Sequence, residues 1–476
     1  MRTCRELGIA TVAVYSDIDR AAPHVRAADE AYPIGAAAPR ESYLNAERII
    51  AVAKRSACDA IHPGYGFLSE NADFADAVAA AKLVFIGPPG PVQRALGEKT
   101  SARRLAAKAG VPVADGTMEP LKDEAAARTI AKRIGYPVLL KPAGGGGGKG
   151  MRIVRSESEL ASAWRGATGE ATTAFGAPAL LLERLIEHAR HVEVQLFADA
   201  HGTVLSLGER DCSIQRRHQK LIEESPGPGV DDALRAKLGA AAVKIASAAG
   251  YVNAGTAEFL VAPDGAFFFL EMNTRLQVEH PVTELVTGLD LVRLQLRVAA
   301  GEPLGLSQGD VRQNGAAIEL RITAEDPFAS FLPQGGRIDF LREPSGPGIR
   351  MDSGLAAPLT VPTDYDPLLA KLIAWGPDRA TALARAKRAV RETIVAGLPT
   401  SLPFHSFVLG EPDFAAGRYD TDYVATHWTD ARAPELGASA AVAAALAGIT
   451  RLQSAARPVV TDAAPWVRSA RLDMLR

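Results

Sequence analysis

The stretch KPAGGGGGKGMRIV, Lys141 to Val154, sets five consecutive glycines between two lysines and before a strand-like MRIV. A Walker A loop needs Gly, four residues and Gly-Lys-Ser/Thr opening a helix, and this stretch has neither the spacing nor the helix. A strand–loop–strand hairpin can still cover a triphosphate, because glycines let backbone N–H groups approach phosphate oxygens closely. A flexible linker is the alternative, but linkers favour Ser and rarely interrupt two apolar strands. We therefore predict a mobile lid over a nucleotide, with Lys141 beside the phosphates.

Strand-like and helix-like segments alternate upstream of the lid, from residue 1 to about 90. The strand-like segments are TVAVYS, AYPIG, AIHPG and LVFIG, and the helix-like ones are SYLNAERIIAVAKRSA and NADFADAVAAAK. We expect Ser42 to cap the first helix. The alternation predicts a parallel, doubly wound sheet, in which ligands lie at the carboxyl ends of strands. The loop HPGYG, His62 to Gly66, is then a candidate crevice loop, although a plain turn explains it equally well.

The pattern changes after about residue 95. Up to about 300, the segments YPVLLKP, GMRIV, ALLLERLI, RHVEVQLFAD and TVLSLGER indicate a two-layer α+β module with much antiparallel pairing. Residues 303 to about 430 have a mixed pattern with a long helix from about Arg379 to Val395, and the Ala-rich remainder predicts a helix and a tail. The fold class is therefore α/β together with α+β.

An acidic hairpin is predicted in GTAEFLVAPDGAFFFLEMNTR, Gly255 to Arg275. Asp264-Gly265 indicates a two-residue turn, which sets Glu258 directly opposite Glu271. Opposed like charges destabilise a sheet unless a cation lies between them, and Asn273 falls on the same face. Two carboxylates and an amide oxygen suit Mg²⁺. A solvated acidic face is the alternative, which the flanking apolar residues disfavour.

The same face continues through Arg275, Gln277 and Glu279, a row too polar for a core. We interpret this row as a metal site with an adjacent site for anion binding and proton transfer. A second cluster is QRRHQK, from Gln215 to Lys220. Two predictions stay open for it: ligands for phosphate or a small anion, and a solvated charged face.

Composition excludes several classes of protein. The 53 basic and 55 acidic side chains give a formal net charge of −2, so no basic field points to nucleic acid or to an anionic membrane. No apolar run reaches the roughly 18 residues of a membrane span, and the start lacks a secretory pattern. Cys4, Cys58 and Cys212 are far apart, which argues against a disulfide framework or a zinc site. We expect a reduced, cytoplasmic location.

Together these stretches resemble biotin carboxylase of the ATP-grasp superfamily, in the form found in acyl-CoA carboxylase α subunits. The resemblance covers about residues 4 to 430, and it rests on HPGYGFLSEN, KPAGGGGGKGMR, RHVEVQ, ERDCSIQRRHQK, EFL, LEMNTRLQVEHPVTE and RITAEDP. It implies a Rossmann-like domain at 1–95, an ATP-grasp domain at 96–302 with a lid at about 112–185, a C-terminal domain at 303–430 and an Ala-rich tail at 431–476.

The resemblance also implies roles for single residues. Positions matching those that bind ATP phosphates are Lys99, Lys141, Gly144, Gly145, Gly146, Gly147 and Gly148. Further positions of the nucleotide site are Met151, Glu183, Arg184, Leu185, Ile186, His191, Gln215, His218 and Leu260. Glu258, Glu271 and Asn273 match metal ligands, in agreement with the hairpin argument. Lys220, Arg275, Gln277 and Val278 match the bicarbonate pocket, Glu279 the general base, Arg321 the residue that steadies the biotin enolate, and Tyr65 a position near biotin.

The implied activity is ATP- and bicarbonate-dependent carboxylation of biotin, with Mg²⁺ or Mn²⁺ as the metal. No Met-Lys-Met attachment site occurs in the chain, so the resemblance implies a biotin carrier and a carboxyltransferase as partners, and a homodimer or larger assembly. The final acceptor stays open among acetyl-, propionyl- and methylcrotonyl-CoA or pyruvate, and the tail APWVRSARLDMLR favours an acyl-CoA.

Two features depart from the family pattern. The family opens with a strand and an NRGEIA-like stretch that have no counterpart here, and loss of that interior strand is expected to leave two unpaired sheet edges. Arg184 stands where the family usually has Lys, which changes the geometry beside adenine. Two alternatives stay open: another ATP-grasp ligase, which the glycine loop and the carboxylate pair alone would allow, and a non-catalytic subunit that binds nucleotide, which the absent strand suggests.

Overall fold

A computed structural model describes residues 1–143, 150–175 and 179–429 of the chain. The predictions for the glycine run 144–148 and for the tail 431–476 lie outside these residues. The described helices are α1 (Arg2–Glu6), α2 (Pro23–Ala27), α3 (Ala46–Arg55), α4 (Ala72–Ala80), α5 (Gly90–Gly97), α6 (Lys99–Lys108), α7 (Glu124–Ile134), α8 (Glu157–Phe175), α9 (Asp232–Ala249), α10 (His280–Thr287), α11 (Leu291–Ala299), α12 (Arg379–Glu392), α13 (Leu402–Gly410), α14 (Pro412–Ala415) and α15 (Tyr423–His427).

The described strands fall into one large sheet and several small ones. They are β1 (Val12–Ser16), β2 (Glu30–Gly35), β3 (Ala60–Ile61), β4 (Val84–Phe85), β5 (Val138–Pro142), β6 (Arg152–Val154), β7 (Leu180–Arg184), β8 (Arg190–Ala198), β9 (Val204–Arg216), β10 (Gln219–Ser225), β11 (Asn253–Val261), β12 (Phe267–Asn273), β13 (Ala316–Thr323), β14 (Glu325–Asp326), β15 (Leu332–Pro333), β16 (Gly336–Ile338), β17 (Phe340–Arg342), β18 (Ile349–Ser353), β19 (Leu359–Val361), β20 (Leu368–Gly376) and β21 (Ile394–Ala396).

The N-terminal region contains parallel strands, as predicted. β1 pairs with β2 and β3 pairs with β4, and within the described residues the two pairs form separate two-stranded sheets. The predicted cap of α3 is wrong. Asn45 caps this helix by accepting a hydrogen bond from the Arg48 backbone N–H at 3.0 Å, whereas the Ser42 hydroxyl donates to the Ala38 carbonyl. The chain between Ser42 and Asn45 forms turns, so the helix begins three residues later than the pattern indicates.

The lid region has a core of its own. β5 lies between β6 and β7 in an antiparallel sheet, and α7 and α8 pack against it. Leu140, Val154, Leu160 and Leu182 are fully buried in this core. The antiparallel pairing of β5 with β6 confirms the predicted strand–loop–strand arrangement around the glycine run.

The largest described sheet runs in the order β12-β11-β8-β9-β10-β13-β20-β18. It crosses the predicted boundary at 302/303 without a break, because β10 pairs with β13. One face is apolar and packs on α9, where Val194, Phe259 and Ile245 are buried. The alternate residues point to the opposite face, where α10 covers β9, β10, β13 and β20. That second face carries the polar side chains of the predicted site.

The remaining features agree with the composition of the chain. Cys4, Cys58 and Cys212 are free thiols. None of the described helices combines the length and the apolar character that a membrane crossing demands.

Candidate active site

The turn of the β11–β12 hairpin differs from the predicted one. Residues 263–265 form a three-residue loop, closed by a 2.8 Å hydrogen bond from the Ala262 N–H to the Ala266 carbonyl. The Asp264 carboxylate accepts a hydrogen bond from the Ala266 N–H at 3.0 Å, and this local bond favours the longer loop. The predicted two-residue turn is therefore wrong, and next to the loop the strands pair one residue out of the predicted register.

A β-bulge restores the predicted pairing further along the hairpin. Without it, Glu258 would lie opposite Leu270, and Glu271 would face the other side of the sheet. The register shifts between Glu258 and Phe259, so that Glu258 lies directly opposite Glu271. The predicted opposition of the two glutamates is thus confirmed, and Asn273 lies two residues beyond on the same face.

Glu258 is buried and surrounded by donors. Its Oε1 accepts hydrogen bonds from Lys220 Nζ (3.0 Å), Asn273 Nδ2 (2.7 Å) and Gln277 Nε2 (3.1 Å), and His191 Nε2 lies 3.0 Å from Oε2. Burial opposes ionisation, but Lys220 and His191 outweigh it and hold the pKa of Glu258 well below its ordinary value. Glu258 is therefore ionised in the ligand-free protein.

Glu271 behaves differently from its cross-strand partner. Burial raises its pKa, and the Glu258 charge raises it further, although Lys99 Nζ lies 3.9 Å from Oε2. A divalent cation between the two carboxylates would relieve this repulsion, so the hard-oxygen donors fit Mg²⁺. The Asn273 amide directs its N–H to Glu258 and its Oδ1 to Arg275 Nη2 at 3.2 Å. Ligation through Oδ1 would require this amide to turn.

Lys220 joins three carboxylates on the polar face. Its Nζ lies 2.5 Å from Glu193 Oε2, 3.0 Å from Glu258 Oε1 and 2.7 Å from Glu279 Oε1. Burial lowers the pKa of Lys220, but the three glutamates outweigh it and raise the pKa well above its ordinary value. Sequence reasoning missed Glu193. The alternation of His191, Glu193 and Gln195 in an otherwise apolar strand is the signal that could have found it.

Arg321 links the predicted base to a second buried acid. Its Nη2 donates to Glu279 Oε2 at 2.8 Å, and its Nε donates to Glu223 Oε1 at 2.6 Å. Burial raises the pKa of Glu279, but Lys220 and Arg321 outweigh it and hold the pKa well below the ordinary value. Glu279 is thus an ionised carboxylate that becomes a better proton acceptor when either cation moves away.

The predicted phosphate side contains a second buried network. Lys141 Nζ lies 2.6 Å from Glu183 Oε2, and Arg103 Nη1 donates to the same oxygen at 2.6 Å. Burial lowers the pKa of Lys141 although Glu183 opposes the shift. Arg103 was not predicted to belong to the site, and its side chain is fully buried.

The residues predicted to surround the nucleoside gather beside β8. Leu260 pairs with His191 across β11 and β8, and Gln215 Nε2 lies 3.4 Å from His191 Nδ1. His218 occupies the β9–β10 turn with a left-handed φ of 65°. Burial, and next His191, lower the pKa of His218.

The strand β7 and its flanks carry the other predicted nucleotide positions. Arg184 Nη2 donates to the Ile134 carbonyl at 2.8 Å, and the Leu185 N–H donates to the Pro137 carbonyl at 3.1 Å. Ile186 follows β7, and the half-buried Met151 precedes β6.

The predicted anion and biotin positions lie at the edge of the network. Arg275 Nε donates to Glu70 Oε2 at 3.0 Å. Lys371 Nζ donates to the Val278 carbonyl at 2.6 Å and lies 5.9 Å from the centre of the Tyr65 ring, which is 41% exposed. Sequence reasoning missed Glu70 and Lys371, because nothing local in the sequence indicates these distant partners.

Three family descriptions match successive parts of the chain. "Biotin carboxylase, N-terminal domain" matches residues 1–92, "Carbamoyl-phosphate synthase L chain, ATP binding domain" matches residues 98–307, and "Biotin carboxylase C-terminal domain" matches residues 319–426. The boundaries predicted at 95, 302 and 430 stay predictions beside these ranges.

Known proteins agree with these matches over most of the chain. A biotin carboxylase of Nostoc sp. is 51% identical over 424 residues, which are 89% of this chain and 95% of that protein. The mitochondrial methylcrotonoyl-CoA carboxylase subunit alpha of Arabidopsis thaliana is 48% identical over 437 residues, which are 91% of this chain and 60% of that subunit.

A solved structure supports the same assignment. It is the dimeric biotin carboxylase domain of Hydrogenobacter thermophilus 2-oxoglutarate carboxylase, in complex with MgADP, ADP and bicarbonate. It superposes with a TM-score of 0.87 and 46% identity, covering 90% of this chain and 94% of that one. The chain belongs to the biotin carboxylase family.

Proposed function

We propose that the chain carboxylates biotin on a carrier protein or domain, with ATP and bicarbonate as the other substrates. The observation that carries this proposal is the position of Lys220. Its ammonium group contacts a predicted metal ligand, Glu258, and the predicted base, Glu279, which in turn contacts Arg321. One buried network thus joins the groups needed for ATP, bicarbonate and biotin.

Lys99 and Lys141 would bind the ATP phosphates, and Glu258, Glu271 and Asn273 would hold a Mg²⁺ or Mn²⁺ ion. That ion, when bound, supplies positive charge that offsets the charge of the phosphates. The ammonium of Lys141 is buried and shares Glu183 with Arg103, so it is held in one place before ATP arrives.

Glu279 would take the proton of bicarbonate. The bicarbonate O–H bond breaks, its proton goes to the Glu279 carboxylate, and its oxygen attacks the γ-phosphorus of ATP while ADP leaves. An anion beside Lys220 and Arg321 brings a negative charge next to Glu279, which contacts both cations. The pKa of Glu279 therefore rises when bicarbonate binds, which is when the base must accept a proton.

The product is carboxyphosphate. Its bond between the carbon and the bridging oxygen breaks, which gives CO₂ and phosphate. Phosphate takes the proton from the ureido nitrogen of biotin, and that nitrogen then attacks CO₂ to form N-carboxybiotin. Arg321 would stabilise the enolate charge on the ureido oxygen, since its guanidinium is fixed by Glu223 and Glu279. A lid that excludes water would prevent loss of carboxyphosphate to hydrolysis.

Phosphate release from MgATP by the purified chain tests this proposal. We expect release to require bicarbonate and to increase with free biotin, and we expect Glu279→Gln to lose at least about a hundredfold in kcat, as expected for a general base. Glu302→Gln, at an exposed pair with Arg297, is the matched control. Bicarbonate-independent release, or an unchanged rate in Glu279→Gln, would contradict the proposal.

We further propose that the chain is the biotin carboxylase part of an acyl-CoA carboxylase and that it works as a homodimer or larger assembly with a carrier and a carboxyltransferase. The dimeric state of the Hydrogenobacter domain and the methylcrotonoyl-CoA relative support this proposal. A biotinylated carrier domain should be carboxylated with a higher kcat/KM than free biotin. Equal values would argue against a dedicated carrier.

A further inference from the structure

Arg210 lies on β9 behind the site, and its side chain is fully buried. A guanidinium has five N–H donors. Each has an acceptor here: Nε donates to Glu193 Oε1 (2.6 Å), Nη1 to Gln195 Oε1 (2.6 Å) and Thr283 Oγ1 (2.9 Å), and Nη2 to Thr256 Oγ1 (3.1 Å) and Gln277 Oε1 (3.1 Å). Arg210 thereby joins β8, β11, the segment before α10, and α10 itself.

The hydrogen bond to Gln277 decides which end of that amide faces the site. Arg210 Nη2 donates to Gln277 Oε1, and the Gln277 amide nitrogen therefore points to Glu258 Oε1 at 3.1 Å. A turned amide would set its N–H₂ group against the N–H of Arg210 and its carbonyl oxygen against the Glu258 carboxylate. Both contacts would be unfavourable, since two donors and then two acceptors would meet.

The hydrogen bond to Glu193 fixes the second donor of the site. Arg210 Nε occupies Glu193 Oε1, which leaves Glu193 Oε2 for Lys220 at 2.5 Å. The planar guanidinium holds its N–H groups at fixed angles, so the directions of Glu193 and Gln277 are linked.

We propose that Arg210 is a positioning residue for a small oxyanion: it makes Gln277 present an N–H and, through Glu193, holds Lys220 beside it. An anion such as bicarbonate would accept hydrogen bonds from both groups, whereas a turned Gln277 would repel it. This inference rests on the proposed function, because the anion is taken to be bicarbonate.

Arg210→Lys tests the inference, because lysine keeps the charge but cannot reach Glu193, Gln277 and α10 at once. We expect the KM for bicarbonate to rise roughly tenfold or more, the loss expected for one hydrogen bond to a charged group. The KM for MgATP should change by less than about twofold. In a Gln277→Leu background, Arg210→Lys should add less than it causes alone, because the Gln277 contact is already lost and only the route through Glu193 to Lys220 is left to break.

Arg379→Lys is the control for replacing a largely buried, carboxylate-paired arginine elsewhere in the protein. Arg379 makes two hydrogen bonds to Glu224 away from the site, so this variant should lower Tm without changing either KM. If Arg210→Lys does not fold, Gln195→Leu and Thr256→Val each remove one acceptor of Arg210 and should raise the KM for bicarbonate alone, by about twofold.

Equal increases in both KM values, additive effects with Gln277→Leu, or a lower Tm without a bicarbonate-specific change would overturn the positioning role. Bicarbonate-independent phosphate release by the unsubstituted chain would overturn the proposed function instead, so the two failures are distinguishable.

Discussion

Glu223 gives the protein a pH-dependent stability that can be calculated from its surroundings. The carboxyl group is fully buried on β10, with Oε1 bound to Arg321 Nε at 2.6 Å. Within the described part of the chain, Oε2 has no hydrogen-bond partner. Burial raises the pKa of Glu223 from 4.5 to about 7, since Arg321 offsets burial only in part and Glu279 adds a like charge.

The folded protein therefore holds this proton more tightly than the unfolded chain does. The contribution of Glu223 to stability is undiminished below pH 4.5, is lost progressively as the pH rises to about 7, and is constant above that. At about 1.36 kcal/mol per pKa unit, the full loss is about 3 kcal/mol. About 2 kcal/mol of it falls between about pH 5 and about pH 8.

Glu223→Gln replaces the carboxyl group with a neutral group of nearly the same shape. Urea unfolding of the variant and of the unsubstituted protein, at several values between about pH 5 and about pH 8, gives the difference in the free energy of unfolding. We expect that difference to shift in favour of the variant by about 2 kcal/mol over this range. Glu302→Gln controls for the loss of one negative charge. A difference that is independent of pH, or that shifts against the variant, would refute the reasoning.

Two further predictions concern the nucleotide side. Glu271→Gln should raise the Tm of the ligand-free protein, because the repulsion from Glu258 disappears. In a Mg²⁺ titration, the same variant should need a roughly tenfold higher Mg²⁺ concentration for half-maximal phosphate release. Lys141→Met should raise the KM for ATP by roughly tenfold or more, as measured from initial rates. Urea unfolding should show a change of less than about 1 kcal/mol in the free energy of unfolding, because Arg103 still pairs with Glu183. An unchanged Mg²⁺ requirement in the first variant, or an unchanged KM in the second, would contradict the assignment.

The acidic hairpin was predictable because its evidence is local. A strand period of two and a Gly-containing turn set Glu258 opposite Glu271, and the structure has that pairing. The route to it was not predictable. The loop is one residue longer than predicted and the bulge beside Phe259 compensates for it, so two deviations cancel at the glutamates. The position of a bulge depends on how the apolar face packs on α9. The periodicity of a single strand does not reveal that packing.

The partners of the site residues were not predictable for a different reason. Arg210 and Gln277 are 67 residues apart in the sequence, and many other contacts that fix the site also join distant residues. A charged residue in a strand is therefore interpreted as exposed until its neighbours are known. Glu193 lies within the segment RHVEVQLFAD, but a single glutamate in a strand does not indicate its partner. The cap of α3 failed on a smaller scale, since Ser42 and Asn45 are both good capping residues and the turn between them decided which one was used.

The arrangement around Lys220 explains why predicted metal ligands and predicted anion-binding residues lie side by side. An ammonium group has three N–H donors, and each points to one carboxylate, so an anion gains a donor only when one carboxylate releases Lys220. Glu193 Oε2 and Glu279 Oε1 have Lys220 as their hydrogen-bond donor, whereas Glu258 Oε1 also accepts from Asn273 and Gln277. Glu258 can therefore release Lys220 at the least cost. The donor for an anion would thus come from Glu258, a predicted metal ligand, so the proposed metal and anion subsites would be coupled through Lys220.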